Sequence, residues 1–409
     1  MNHQNPVSIN NFGSLPAEFR TSGSTAGIKA SGKSDLALFV SDRPAAAAGV
    51  FTQNRVCGAP VTVSRSRVPA PNVRAVIINS GNSNAATGLP GIENAKRMTA
   101  EVAGCLGCSE EQVLVCSTGV IGVPLPMEVI LDGIPNGIRS LECSDEAFKA
   151  AATAMMTTDT FAKLVSVDME IDGVSVRVSG AAKGAAMIAP NMATMLSVLM
   201  TDAALSQEQC DCILRSAVDQ TFNCISVDGH TSTSDTVLLM ANGASGATIT
   251  NKSLDAIESA VVSVCQKLAT DIIRDAEGAD HFVTIDVCGL ESRDDAYRMA
   301  KEIADSPLVK TAIVGADPNW GRIVSAAGYA GVPIETEYLS LKINGVTVYE
   351  AGTPVPFDET QVSDGLRNNR DVHLELRVAG GPRSGSACVR FWTSDLTAEY
   401  VRLNSEYTT

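Results

Sequence analysis

The sequence AAKGAAMIAPNMATMLSVLMTDA, residues 181–203, is almost wholly apolar, yet it contains one cation, Lys183, and a hydroxyl, Thr194, among methionines. It is too short and, with a Pro-Asn pair at 190 and 191, too interrupted to span a membrane. Its second half, TMLSVLM, is typical of a buried strand. The simplest interpretation of Thr194 is therefore a β-branched residue that packs in that strand.

A threonine can also act as a nucleophile without histidine if its own α-amino group serves as the base. Thr194 would then have to begin a chain, after its hydroxyl attacks the carbonyl of Ala193 and an N-to-O acyl shift breaks the bond between them. A small residue at 193 leaves room for this attack, and a free α-amine has a pKa near ~8. On the residues alone both interpretations stay open, and packing is the simpler one.

Composition restricts the class of protein. The chain has 409 residues, 45% apolar and 19% charged, which is typical of a globular protein with two or three domains. Its net charge of −15 argues against binding to nucleic acid or to anionic membranes. The opening residues MNHQNPVSINNF lack the pattern of a secretory signal, and the eleven scattered cysteines are an odd number. We therefore expect reduced thiols in a cytoplasmic protein.

The sequence offers little support for a zinc site, a Ser-His-Asp triad or a phosphate-binding loop. Cys105 and Cys108 form a CxxC, but no second CxxC or close histidine pair completes a zinc set, so we expect no metal site. No histidine stands beside a G-x-S-x-G motif, so a Ser-His-Asp triad is not indicated. The segment GKSDL, 32–36, lacks the spacing of a phosphate-binding loop.

Hydrophobic periodicity predicts both strands and helices. The segment 165–178 alternates around Asp172-Gly173, a strong hairpin signal, and VRAVIINSG, 73–81, is typical of a buried strand. Helices are expected after the capping patterns at Ser206 and Ser292 and after Ser253.

The last third of the chain has the same mixed character. We predict a strand and turn in LVKTAIVGADPNWGR, 308–322, and a late pair of strands in 371–381 and 386–396. Because helices alternate irregularly with hairpins, the expected class is α/β with mixed sheets in layers. We place a catalytic core at 1–280 and a smaller C-terminal α/β domain at 281–409.

The sequence around Thr194 closely resembles the self-cleavage segment of the ornithine acetyltransferases, the glutamate N-acetyltransferase family of arginine biosynthesis. Further blocks match this family in the family's order along the whole chain. They are AGIKASGKSDLALFVSD (26–42), AAGVFTQNRV (47–56), INSGNSNAATG (78–88), CSTGVIG (116–122), TTDTF (157–161), FNCISVDGHTSTSDT (222–236), DAEGA (275–279), VKTAIVGADPNWGRI (309–323) and YVRLNSEYTT (400–409).

The resemblance implies a layered fold shared with self-processing aminopeptidases, and a precursor that cleaves itself between Ala193 and Thr194. It implies an α chain, 1–193, and a β chain, 194–409, with Thr194 as the nucleophile. Acetyl would pass from N-acetylornithine to glutamate through acetyl-Thr194 by a ping-pong route. The STG motif implies an oxyanion hole at Thr118 and Gly119, which suits a hydroxyl and a backbone N–H in a glycine-containing turn.

The resemblance also implies a set of substrate-binding residues. Both substrates carry carboxylate and cationic groups, which suit Lys183 and Glu277 respectively. Besides Thr194 itself, the implied binding residues are Thr157, Lys183, Glu277, Asn404 and Thr409.

Some questions stay open at this stage. No cofactor is implied, but some relatives accept acetyl-CoA as a second donor, and the sequence does not decide this. The family implies an assembly of two α and two β chains. Cys224 and His230 stand where we expect a basic and an acidic residue, outside the implied site. The alternatives are an amidohydrolase or aminopeptidase that uses the same Thr194, and a non-catalytic binding protein with a threonine in its core.

Overall fold

The computed structural model describes residues 8–11, 13–187, 195–382 and 384–406. The predicted Ala193, Thr194 and Thr409 lie outside these ranges. The strands, numbered in chain order, are β1 (Ser8–Asn10), β2 (Phe19–Ser24), β3 (Leu36–Phe51), β4 (Ala70–Asn82), β5 (Val113–Val120), β6 (Lys163–Ile171), β7 (Val174–Lys183), β8 (Leu196–Thr201), β9 (Ile225–Ser226), β10 (Thr236–Ala241), β11 (Phe282–Leu290), β12 (Leu339–Ile343), β13 (Val346–Glu350), β14 (Thr353–Pro354), β15 (Asp371–Val378) and β16 (Ser384–Ser394).

Eleven α-helices accompany these strands within the described ranges. They are α1 (Ala59–Arg65), α2 (Gly88–Leu106), α3 (Met127–Arg139), α4 (Asp145–Met155), α5 (Gln207–Gln220), α6 (Asn251–Arg274), α7 (Arg293–Asp305), α8 (Pro307–Val314), α9 (Trp320–Gly328), α10 (Glu359–Asn368) and α11 (Ala398–Glu406). The helices and both sheets confirm the predicted mixed α/β class.

The first sheet has the strand order β1-β6-β7-β8-β10-β3-β4-β5, with β2 also paired to β3, and thus nine strands among the described residues. Its parallel pairs are β8 with β10 and β4 with β5; its other pairs are antiparallel. The long strand β3 is exposed at 42–44, where its register with β4 also shifts. Before this irregularity, residues 36–40 of β3 pair with β4; after it, residues 46–51 pair with β10, while Ala45 and Ala47 still pair with β4.

The two halves of this sheet pack face to face. One buried cluster joins side chains of β3, β4 and β5, such as Phe39 and Ile78, to side chains of β8 and β10, such as Val198 and Leu238. On the outer side of the β3–β5 half, a second cluster packs against α2 and α3. On the outer side of the β7–β10 half, a third packs against α5 and α6. The result is a layered sandwich with helices outside.

The second sheet has the order β14-β13-β12-β15-β11-β16-β9, again counted over the described residues. All of its strands except β9 lie after residue 281, and the hydrophobic cluster around α5 and α6 continues into it. The boundary that we place between 280 and 281 stays a prediction.

Several local predictions are confirmed by the backbone. Asp172 and Gly173 join β6 to β7, with φ angles of 49° and 81° that suit a two-residue hairpin turn. Ser206 caps α5 through a full capping box with Gln209. Ser292 caps α7.

Other local predictions are wrong. The segment 308–322 forms α8 and α9 and not a strand, because Ser306 and Asn319 each accept a capping hydrogen bond and Pro307 occupies the first helical position. The long helix α6 begins before Ser253, since Thr250 is its cap. By contrast, the two late strands are confirmed as β15 and β16, with β11 between them in the sheet.

The cysteines also differ from expectation. Nine are free, but Cys288 and Cys388 form a disulfide, so the prediction of reduced thiols is wrong for this pair. Strands β11 and β16 place the two residues directly opposite each other. No helix in the described ranges is long and apolar enough to cross a membrane.

Candidate active site

A cavity of about 130 Å³ brings together six residues of the predicted site: Thr118, Gly119, Thr157, Lys183, Glu277 and Asn404. They come from separate segments of the chain. The charged groups among the described lining residues are the ammonium of Lys183 and the carboxylate of Glu277, and most of the remaining polar lining is hydroxyl. This combination suits a small ligand with both a carboxylate and an amino group.

Lys183 ends strand β7 and is buried. Its Nζ donates a hydrogen bond of 2.9 Å to Oγ1 of Thr118, at the end of β5. Burial lowers the pKa of Lys183, while the nearby carboxylate of Asp159 opposes this shift. Because the Thr118 oxygen accepts from Lys183, the hydroxyl proton of Thr118 remains available to another acceptor.

Gly119 has a backbone conformation that side chains rarely adopt, with φ of 130°. A Cβ at this position would lie 2.3 Å from the carbonyl carbon of Gly81 and 2.5 Å from the nitrogen of Asn82. The ends of the parallel strands β4 and β5 therefore meet at a place where only glycine fits.

A buried ion triad lies behind the cavity. The ammonium of Lys163 is 2.7 Å from Oδ1 of Asp159 and 2.6 Å from Oδ2 of Asp275, and all three side chains are almost completely buried. Thr160 donates to Asp275 through its backbone N–H and its hydroxyl. The triad thus joins the end of α6 to the loop that contains Thr157.

Asp159 connects that loop to the strand that carries Lys183. Its Oδ2 accepts from the N–H of Thr157 at 3.0 Å, and its Oδ1 accepts from the N–H of Gly184 at 2.6 Å. Burial alone would raise the pKa of Asp159, but the charges of Lys163 and Lys183 outweigh it and lower this pKa to about 2. One ionised carboxylate therefore fixes two segments of the cavity wall.

The C-terminal helix α11 supplies the remaining side of the cavity. The Nδ2 of Asn404 donates to Oε2 of Glu277 at 3.1 Å, and the N–H of Glu277 donates to the carbonyl of Ala185 at 2.9 Å. Gly278 permits this approach: its φ is 66°, and a Cβ there would lie 2.5 Å from the nitrogen of Tyr400. Glu277 and Asn404 are therefore positioned by close backbone packing.

Some residues of the site were not singled out from the sequence. The hydroxyl residues 232–234 line the cavity, and Asp235 follows them directly before β10. The dense run of hydroxyls in TSTSDT, directly before a buried strand, was the available signal. Cys224 is buried beside Arg293, and His230 is exposed; neither is part of the cavity lining.

No group of three or more His, Cys, Asp or Glu side chains in the described ranges is arranged to hold a metal ion. The fold and the cavity define an α/β protein with a polar, charge-bearing site for a small molecule.

The chain belongs to the ArgJ family, whose family model matches residues 20–409. The arginine biosynthesis bifunctional protein ArgJ of Rhodopirellula baltica is 48% identical over 399 residues, which cover 97% of this chain and 96% of that protein. The protein of the same name from Geobacter sulfurreducens is 44% identical over 394 residues, covering 96% and 99%. The resemblance to the ornithine acetyltransferases is thereby confirmed.

A solved structure of ornithine acetyltransferase complexed with ornithine, from Mycobacterium tuberculosis, is 38% identical to this chain. The match covers 45% of this chain and 98% of that one, with a TM-score of 0.43.

Proposed function

We propose that this member of the ArgJ family is an acyltransferase of arginine biosynthesis that moves acetyl from N-acetylornithine to glutamate. The observation that carries the proposal is the convergence of Thr118, Lys183 and Glu277 on one cavity. Relatives named as bifunctional arginine biosynthesis proteins, matched over nearly their whole length, support the pathway.

In the proposed mechanism the Thr194 hydroxyl attacks the acetyl carbonyl of N-acetylornithine and its proton passes to the α-amino group of Thr194. The tetrahedral oxyanion lies against the Thr118 hydroxyl and the Gly119 N–H. The C–N bond then breaks, the leaving nitrogen takes the proton, and ornithine departs. The amine of glutamate repeats the attack on acetyl-Thr194 and restores the free hydroxyl.

The other residues of the cavity hold the substrates. Lys183 meets a substrate carboxylate and Glu277 a substrate ammonium, while Thr157, Asn404 and Thr409 add hydrogen bonds. The contact between Lys183 and Thr118 supports these roles, because one ammonium both orients the oxyanion donor and faces the substrate.

The threonine becomes a chain terminus by self-cleavage between Ala193 and Thr194. Lys183 and Leu196 are directly paired on β7 and β8, so the intervening segment leaves and re-enters the sheet at the same place. Residues 185–187 of that segment line the cavity. This placement supports a cleavage site beside the cavity.

The same proposal covers the second acetyl donor, the need for a cofactor and the assembly of the chains. Acetyl-CoA is a second acetyl donor, consistent with the word bifunctional in the names of the relatives. No cofactor is needed, since each proposed step uses protein side chains. The protein works in the cytoplasm as two α and two β chains.

The activity is tested by incubating the purified protein with N-acetylornithine, with and without glutamate. N-acetylglutamate and ornithine are expected in equal amounts, and ornithine release should depend on glutamate after one turnover. A parallel reaction replaces N-acetylornithine with acetyl-CoA. Free acetate as the only acyl product, whether or not glutamate is present, would establish the amidohydrolase alternative.

Intact-mass measurement tests the cleavage. The wild-type protein should give two chains, with the larger beginning Thr-Met-Leu. Thr194→Ala should stay as one inactive chain, whereas Thr194→Ser, which keeps a hydroxyl, should still be cleaved. Two normal fragments from Thr194→Ala would refute the nucleophile.

A further inference from the structure

The carboxyl group of Asp235, the residue directly before β10, is completely buried. Its Oδ1 accepts a hydrogen bond of 3.1 Å from the backbone N–H of Met195. Its Oδ2 is also buried and has no hydrogen-bond partner within the described part of the chain. A carboxyl oxygen left in this state is costly, so it calls for an explanation.

Another buried carboxylate shows the ordinary arrangement. Asp202 is also almost completely buried, but its Oδ1 accepts from the N–H of Arg177 at 2.9 Å and its Oδ2 accepts from the N–H of Ala17 at 3.1 Å. Both of its oxygens are used by the fold. In Asp235 only one oxygen has such a structural role, which leaves the other for a different partner.

The position of Asp235 indicates what that partner is. The N–H that holds Oδ1 belongs to the peptide bond between residues 194 and 195. Because both carboxyl oxygens are attached to one carbon, Oδ2 stays close to the N–H of Met195, the residue that follows Thr194 in the chain. Asp235 directly follows residues 232–234, which line the cavity, and its own carboxyl is buried behind them.

We propose that Asp235 is the general base of self-cleavage, which takes the proton of the Thr194 hydroxyl and returns it to the departing nitrogen. The inference rests on the proposed function of Thr194. As the Thr194 oxygen bonds to the Ala193 carbonyl carbon, its proton moves to Asp235. As the C–N bond between the two residues breaks, the same proton moves to the Thr194 nitrogen. An ester and a free amine result, the carboxylate is restored, and water then hydrolyses the ester.

The environment of Asp235 suits this role. Burial raises its pKa well above the ordinary value, although the Met195 N–H and the charge of Lys183 oppose the shift, and the nearby Thr52 hydroxyl and Ser232 N–H oppose it further. The Thr52 hydroxyl donates its proton to the carbonyl of Ser232 at 2.7 Å, so it does not satisfy Oδ2 of Asp235. A carboxylate with a raised pKa is a stronger base than an exposed one. In the precursor the α-amino group of Thr194 is still part of a peptide bond, so it cannot serve as the base for its own release.

The test follows precursor and fragments over time by denaturing electrophoresis and intact mass. Asp235→Asn keeps an oxygen for the Met195 N–H but cannot accept a proton. Its rate of cleavage is expected to fall by roughly 10²–10⁴-fold, the usual contribution of a general base. Asp235→Glu, which retains a carboxyl group, should recover part of the rate. Asp202→Asn is the matched control at a buried carboxyl far from the cleaved bond, and should cleave like the wild type.

Chemical rescue separates proton transfer from structural support. Asp235→Ala removes the carboxyl group and leaves room for a small one. Added formate should accelerate its cleavage in proportion to concentration, while chloride at the same ionic strength should not. Neither salt should affect Thr194→Ala.

Failure of the role of Asp235 can be told apart from failure of the proposed function. If the wild type is never cleaved before Thr194, the proposed function fails first. If the wild type is cleaved and Asp235→Asn cleaves equally fast, only the role of Asp235 is overturned. If Asp235→Asn does not fold, the Asp235→Glu and formate measurements decide, and no response to formate overturns the role.

Discussion

Two buried lysines show how the same local structure serves different purposes. Lys183 donates to the hydroxyl of Thr118 at 2.9 Å, and Lys310 donates to the hydroxyl of Thr393 at 2.6 Å. Burial lowers the pKa of both, to about 8 for Lys310. Only Lys183 lines the cavity, whereas Lys310 joins α8 to β16. Comparing variants of the two lysines therefore distinguishes the effect of losing any buried cation from the effect of losing one at the cavity.

Replacing Lys183 with methionine should remove both a substrate contact and the group that orients Thr118. We expect kcat/KM for acetyl transfer to fall by roughly 10²–10³-fold, as for loss of an oxyanion-hole donor. Steady-state kinetics on the folded variant measures this effect. A variant with wild-type kinetics would contradict the role of Lys183.

The matched control is Lys310→Met. It should destabilise the protein by roughly 1–3 kcal/mol, because Thr393 and the carbonyl of Ser394 lose a buried donor. Its kcat/KM per folded molecule should stay at the wild-type value. Urea unfolding together with the same kinetic assay separates the two lysines.

Gly119→Ala should eliminate acetyl transfer, because the added Cβ would lie 2.3 Å from the carbonyl carbon of Gly81. The ends of β4 and β5 would have to separate and displace the oxyanion donor. Gly122→Ala is the control, since Gly122 also has positive φ, 78°, but nothing lies within 4 Å of its added Cβ. We expect Gly122→Ala to lose about 1 kcal/mol of stability and to remain active. Equal activity losses in both variants would contradict this explanation.

Residues in short motifs could be assigned from the sequence, and residues that act through distant partners could not. Thr118 and Lys183 were expected at the site because each lies in a segment that resembles the family. Lys163 was not, because its partner Asp275 is 112 residues away. Asp235 contacts a backbone N–H 40 residues before it, which no spacing rule predicts.

At the scale of secondary structure, short apolar runs predict strand or helix equally well unless the capping residues before them are taken into account. The run 73–81 lies within strand β4, as predicted, but the similar run around 309–314 is helix α8. Both are short and apolar, so periodicity alone does not separate a buried strand from a buried helix. Ser306 and Pro307, an N-cap followed by proline at the first helical position, were the deciding signal.

The loop that contains Thr157 is held by an ionised carboxylate, so its stability should depend on pH. The pKa of Asp159 is lowered to about 2, so this group contributes stability that is fully present above about pH 4 and is lost as the pH falls through 2. Between pH 5 and pH 2 the free energy of unfolding should fall by roughly 2 kcal/mol more in the wild type than in Asp159→Asn. Urea unfolding at fixed pH values measures this difference.

The control for this measurement is Asp42→Asn, at an exposed ion pair with Arg20. Exposed pairs contribute little, so its pH dependence should match that of the wild type within about 0.5 kcal/mol. An Asp159→Asn curve parallel to the wild-type curve would show that the carboxylate is not what stabilises the loop.

At the scale of the whole molecule, the predicted α and β chains share one sheet and one core. Strands β7 and β8 pair over Val178–Thr201 through Lys183–Leu196, and they stand on opposite sides of the proposed cleavage. Side chains of β4 also pack against those of β8 and β10. The class of fold could be predicted from element types, but this pairing order could not, because it depends on contacts between distant strands.

Cleavage should therefore leave the two chains together. Native mass spectrometry should give one assembly that contains equal numbers of both chains, and a denaturing measurement should give the two chains separately. The proposed number is two of each. Elution of either chain alone from a non-denaturing column would contradict the shared core.

The pairing of β7 with β8 has a further consequence for how the protein loses its structure. In the uncleaved precursor these strands belong to one chain, so the formation of this pairing after urea is removed does not depend on protein concentration. In the cleaved protein the same pairing must form between two molecules, and its midpoint of unfolding becomes dependent on concentration. Dilution then opposes recovery, so a cleaved enzyme that has once unfolded regains its sheet more slowly than Thr194→Ala does.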